Sequence, residues 1–153
     1  MSPRQAYACA SKIGRMAAKV FVCLGAAAGM VLPAQAQWQE AGPLRFRAVE
    51  VDHVPYLRCF GYLFERGDRM VAYSGDVKPC AGLSELARES DVLVLECNGR
   101  HRGPVTHMHE ENVQELAAAH PGLHVIVTHL GEQVDVAKLD GITVPSDFER
   151  LAV

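Results

Sequence analysis

Apolar and polar positions along the chain change period several times, and each change marks an element. Residues 44–52 (LRFRAVEVD) alternate, which predicts a strand with one buried face. Two shorter runs, 61–65 and 70–74, flank Arg66-Gly67-Asp68-Arg69 and predict a hairpin. Residues 79–90 then carry Leu83, Leu86 and Ala87 at helical spacing. The nearly continuous apolar run DVLVLEC at 91–97 predicts a strand buried on both faces. A Gly/Pro loop at 98–105 leads to a helix over 110–119, with Val113, Leu116 and Ala117 inward and Pro121-Gly122 as its stop. HVIVT at 124–128 is a second buried strand, and the tail 134–153 is irregular, with one short strand expected at each end. Strands alternating with helices in the second half predict an α/β layer with the sheet in the middle.

The N-terminus follows a different pattern. Residues 1–19 are polar and basic, 20–32 run apolar (VFVCLGAAAGMVL), and Ala34-Gln35-Ala36 after Pro33 has the small-x-small form of a cleavage site. This order predicts a secretory signal over 1–36, cut before Gln37, with the folded domain at 37–153 and a periplasmic or secreted location. The alternative is a misread start on a cytoplasmic protein. The apolar run is short for a stable membrane span. Cysteine usage pulls toward the second reading. Cys59, Cys80 and Cys97 remain after residue 36, an odd number with no C-x-x-C spacing, which is neither a disulfide framework nor a zinc knuckle. Cys97, at the end of an apolar run, is expected to be a buried small hydrophobe.

Charge changes the picture once residues 1–36 are set aside. They hold four bases and no acid, so 37–153 keeps 11 bases against 18 acids, a net charge of −7. Such a surface repels phosphate backbones and disfavours nucleic acid as a partner. The full chain, 49% hydrophobic and 22% charged, has the composition of a globular core and not of a disordered segment.

Chemistry-bearing residues gather where the buried strands stop. The second arm of the hairpin delivers Ser74-Gly75-Asp76, the 91–97 run delivers Glu96 and Asn98, and the last strand delivers Thr128-His129. Ligands of α/β sheets bind outside the carboxyl ends of strands. An aspartate and a histidine there are suitable donors to a divalent cation, and Gly75 would allow the sharp turn that aims Asp76. Asp76 can also be read as a turn residue or helix cap, and His129 as a structural histidine. His107-Met108-His109 looks like a metal pair, yet neighbours two apart diverge on a helix. His101, His120 and His124 are expected at the surface or at a strand edge, without a role.

In order, Val51-Asp52-His53 with Gly61-Tyr62, VAYSGD at 71–76, the run to Glu96, Thr106-His107-Met108 and Val127-Thr128-His129-Leu130 resemble the C-terminal half of a metallo-β-lactamase-fold hydrolase. The resemblance spans about 44–150 and is nearest to the ribonuclease Z, arylsulfatase and cyclic-phosphate phosphodiesterase branch. It implies an incomplete αββα fold and hydrolysis of a phosphoester or related ester by a hydroxide bound to one or two zinc ions. It further implies that Asp76 bridges the metals, that His129 is the last histidine ligand, and that His107 is the catalytic proton donor. Glu96 and His53 would be supporting residues, Glu96 orienting a ligand histidine and His53 not a ligand. His109 stands where this branch often has a residue able to cap the helix.

One departure bears on all of these roles. The family's main metal motif, H-x-H-x-D-H, is absent; His107-x-His109 continues into Glu110-Glu111-Asn112 and fails after the second histidine. Two donors hold zinc weakly, since a catalytic site needs three protein ligands and a water. One half of a sandwich would also leave an apolar sheet face needing a partner or a second copy of the chain. The sequence therefore supports a hydrolase that is truncated or inactive as written, with a small-molecule ester as substrate. The alternative is an exported, non-catalytic half-domain that serves as a binding module.

Overall fold

A computed structural model describes residues 37–99 and 106–152. The chain divides into two units: residues 33–145 with 151–153, which carry every named element, and residues 1–32 with 146–150. Of the latter only the turn at 146–150 is described, closed by the Glu149 amide on the Ser146 carbonyl (3.1 Å). The expected signal, including Cys9 and Cys23, lies outside the described residues, as does His101.

Six strands form one sheet in chain order: β1 Gln39–Ala41, β2 Leu44–Val51, β3 Cys59–Arg66, β4 Arg69–Tyr73, β5 Val92–Glu96 and β6 His124–Thr128. The first four run antiparallel. The predicted hairpin is β3–β4, and Gly67 supplies the left-handed residue its turn needs (φ 64°). From β4 onward the pairing is parallel. Each parallel step requires a crossover, and helices α1 (Ala81–Arg88) and α2 (Glu110–Ala119) provide them.

The two periodicities meet in one core. Register places Val49, Leu63, Ala72, Leu93 and Val125 on the same face of successive strands. Leu83, Leu86 and Ala87 of α1 and Val113 of α2 pack into the same buried cluster. Arg47 sits on this face too, nearly buried, with its guanidinium on Glu85 (2.8 Å) and Glu89 (2.6 Å), one turn apart on α1. Burial of that charge is tolerable because both arms of the fork are paired. The opposite face carries Phe46, Ala48, Tyr62 and Phe64. On it Phe46, Ala48, Val92 and Ile126 are buried, Tyr62 and Phe64 are half-buried, and Phe64 lies against both Phe46 and Tyr62 (centroids 6.4 and 6.1 Å).

The tail departs from expectation. Among the described residues it contains no strand, only a 3-10 turn at Val136–Lys138 and a single parallel bridge from Thr143 to Ile126. Thr143 donates to Val125 and accepts from Val127. Pairing stops there because Gly141 (φ 73°) and Pro145 bracket the segment, and proline has no amide to continue a ladder. The short β1 was not legible in the sequence. The first helix starts at Ala81 and not at Pro79, with Cys80 in extended geometry as its N-cap residue.

Helix α1 crosses β2 at Gly82, where a Cβ would run into the Glu50 carbonyl and press on Val51. Backbone cannot yield as a flexible side chain can. Gly82→Ala should therefore destabilise the protein by about 2 kcal/mol, read as a lower urea midpoint at unchanged slope.

Candidate active site

The carboxyl ends of β4, β5 and β6 lie side by side, so their trailing residues meet. After β4 the chain turns at Gly75 (φ 63°), where a Cβ would come within 3.2 Å of the Phe60 carbonyl, and Asp76 follows. Asp76 is not the cap of α1, a place taken by Cys80. Beyond β6, His129 adopts φ 51°, a left-handed conformation uncommon outside glycine, though asparagine, aspartate and histidine enter it more readily than other residues. Its Nδ1 lies 2.9 Å from Asp76 Oδ1 and its Nε2 lies 3.1 Å from Asn98 Nδ2. A carboxylate only accepts, so Nδ1 carries the proton and Nε2 accepts from the Asn98 amide.

A second histidine is held just as definitely. His107 Nδ1 donates to Glu96 Oε1 at 2.9 Å, which leaves Nε2 as its other face. Its ring stands edge-on to His53 (centroids 4.6 Å) and to His129 (6.1 Å). His53 in turn donates from Nδ1 to the Thr106 carbonyl at 2.7 Å. Three imidazoles thus stand in a row, His53–His107–His129, each with its Nδ1 proton committed to an oxygen of the protein.

Glu96 is 2% exposed and organises this row. Oε1 accepts from the Val77 amide (3.1 Å), the Met108 amide (3.2 Å) and His107; Oε2 accepts from the Asn98 amide (2.8 Å). Burial pushes its carboxyl up to about 7, against the pull of those three amides. Glu96 holds His107 and the backbone on either side of the site. Cys97 behaves as expected: it is buried, and burial lifts its thiol to about 12, which makes it inert.

The donor chemistry can be tested against a metal. Asp76 and His129 are the right types and touch, but no third protein donor joins them among the described residues. The one compact set of three there is His109, Glu110 and Glu111, away from the row and already engaged: His109 with Glu111 (2.9 Å), Glu110 with the Asp135 amide (2.7 Å). His109 also begins α2, where Asn112 returns a weak capping contact to its amide (3.4 Å). Asp76 and His129 therefore fit two positions of a cation site and do not complete one. His124 bonds Thr143 (2.9 Å) at the sheet edge.

Residues 4–130 match the family model of the beta-lactamase superfamily domain. The chain belongs to this superfamily. Within it, the metallo-β-lactamase fold and the ribonuclease Z-like branch are those the sequence motifs suggested. Ribonuclease Z 1 of Schizosaccharomyces pombe is 26% identical over 121 residues, which is 76% of this chain and 15% of that protein. The metallo-β-lactamase fold protein YhfI of Bacillus subtilis superposes with a TM-score of 0.59 at 20% identity, over 69% of this chain and 44% of that one. A diphosphatase of the PhnP family superposes at 0.61 with 25% identity, over 78% and 47%. This superfamily chain thus spans under half the length of these two solved relatives.

Two measurements check the Glu96 arrangement. Its folded pKa lies above the ordinary carboxyl value of 4.5, so its contribution to stability is full below about pH 4.5 and is lost as pH rises through 7. Stability should drop by about 3 kcal/mol between pH 4.5 and 8, and urea titrations of Glu96→Gln should lack that slope. Glu96→Ala, which strands four donors, should cost about 3 kcal/mol at pH 4.5 and less as pH rises, because it too lacks that slope.

Proposed function

We propose that this chain is the proton-delivering part of a divalent-metal-dependent hydrolase acting on a phosphoester or related ester. The observation that carries the reading is His107. It is anchored through Nδ1 to a buried carboxylate and stands beside the Asp76–His129 pair. With Nδ1 committed to Glu96, the Nε2 face meets the substrate. A proton held at Nε2 passes to the departing ester oxygen as the phosphorus–oxygen bond breaks, and the Glu96 carboxylate supports the imidazolium before transfer. Histidine suits the task because its ordinary pKa lies near neutrality.

Asp76 and His129 would supply two donors to the metal, the remainder coming from outside the described residues; a carboxylate with an imidazole favours zinc. A cation held there polarises the phosphoryl group and acidifies water. The net charge of −7 on 37–153 supports a small-molecule ester over RNA. For location, the signal-like stretch supports export, and the free cysteines support a cytoplasmic home. No described helix is long and apolar enough to cross a membrane. A second reading, a non-catalytic binding module that pairs with another chain or copy, is favoured by the incomplete donor set.

The test is zinc titration of the full chain by calorimetry alongside turnover of bis(p-nitrophenyl) phosphate. Asp76→Ala should abolish both, whereas His107→Ala should keep zinc and lose roughly 10²- to 10⁴-fold in rate. Unchanged turnover in Asp76→Ala would sink the hydrolase reading. Zinc binding without turnover in the unmodified chain would favour the binding module.

A further inference from the structure

We propose that His53 is a positioning residue, which fixes where His107 presents its Nε2. The two are 54 residues apart in the sequence, and the fold joins them through a short chain of contacts. His53 sits in the loop 52–58 between β2 and β3. That loop is rooted on the segment that carries Asp76: the Lys78 amide donates to the Asp52 carbonyl (2.8 Å), and the Asp52 amide meets Cys80 Sγ (3.4 Å). From this footing the His53 Nδ1 proton reaches the Thr106 carbonyl at 2.7 Å, one residue before His107. The His53 ring then closes against the His107 ring, with centroids 4.6 Å apart and planes at 64°.

The remaining anchors of this segment lie on its other side. Met108 donates to Glu96 (3.2 Å) and accepts from the Gly99 amide (2.7 Å), and it is buried. Those contacts set the backbone after His107. Among the described residues, the His53–Thr106 bond is the hydrogen bond that fixes the backbone before it. Glu96 decides which nitrogen of His107 is protonated. His53 decides how the ring is turned, by holding the preceding peptide and by walling one side. A ring free to swing would lose the 2.9 Å bond to Glu96 and sample both tautomers.

The catalytic weight of this inference rests on the function proposed above, but its test does not. Long-range proton–nitrogen spectra of the imidazoles, with amide hydrogen exchange, are recorded on the full chain and on His53→Asn, His53→Gln and His53→Phe. Asparagine places an amide donor where Nδ1 stands and should keep a single Nδ1–H tautomer of His107. Phenylalanine keeps the wall and loses the donor; glutamine carries its donor one bond too far. Both should give averaged His107 tautomers and at least tenfold less exchange protection at His107 and Met108, at a urea midpoint like that of His53→Asn. An unchanged tautomer in His53→Phe and His53→Gln would overturn the inference. So would equal loss in His53→Asn with a lowered midpoint, which would make His53 a packing residue. If the signatures move as expected while the unmodified chain itself hydrolyses no ester, the positioning role stands and the hydrolase reading falls.

Discussion

The site depends on one buried carboxylate. Glu96 ends the central parallel strand, out of water, and accepts four hydrogen bonds from three separate segments. Desolvation works against its charge, and each amide that donates to it offsets part of that cost. The carboxylate is therefore kept only if the Val77, Asn98 and Met108 backbones are all in place. Conversely, those backbones carry Asp76, Asn98 and His107 into one another's reach. The same group that makes the site costly to assemble makes its geometry definite once assembled.

Around this point the sheet divides by its pairing. The antiparallel strands β1–β4 form a meander closed by local turns, and before β4 their contribution to the site is the single loop holding His53. The parallel strands supply the rest, because their ends all point one way. Each crossover helix returns the chain to the far edge, so three successive strands deposit polar residues at one rim. Arg47 with its two glutamates, and Gly82 against the Glu50 carbonyl, press α1 onto β2 and so hold the meander and the parallel half together.

Much of this was legible in the sequence, for physical reasons. Strands β2 to β6 and both helices follow from period alone, since each buries a face that has to be apolar. Asp76, Glu96 and His129 stand out because polar residues at the ends of buried runs have few structural uses, whereas His107 stands out only through the family resemblance. The pairing among them was not legible. Which histidine Glu96 would hold depends on where a loop of Gly and Pro returns, and nothing local encodes that. Asn98 was noticed only as a neighbour of Glu96, whereas its amide reaches His129 across 31 residues. The strands expected in the tail are absent because one bridging residue between Gly141 and Pro145 has no room to propagate, and β1 is too short to show a period.

His129 illustrates what such a site demands of its own scaffold. At φ 51° an imidazole-bearing residue sits in backbone territory that costs a non-glycine residue of order 1 kcal/mol or more. Glycine would relax that turn and remove the ring that meets Asp76 and Asn98. At this one position the sequence best for folding and the sequence best for chemistry are different sequences. A drift toward greater thermostability at this position would come at the expense of the ring.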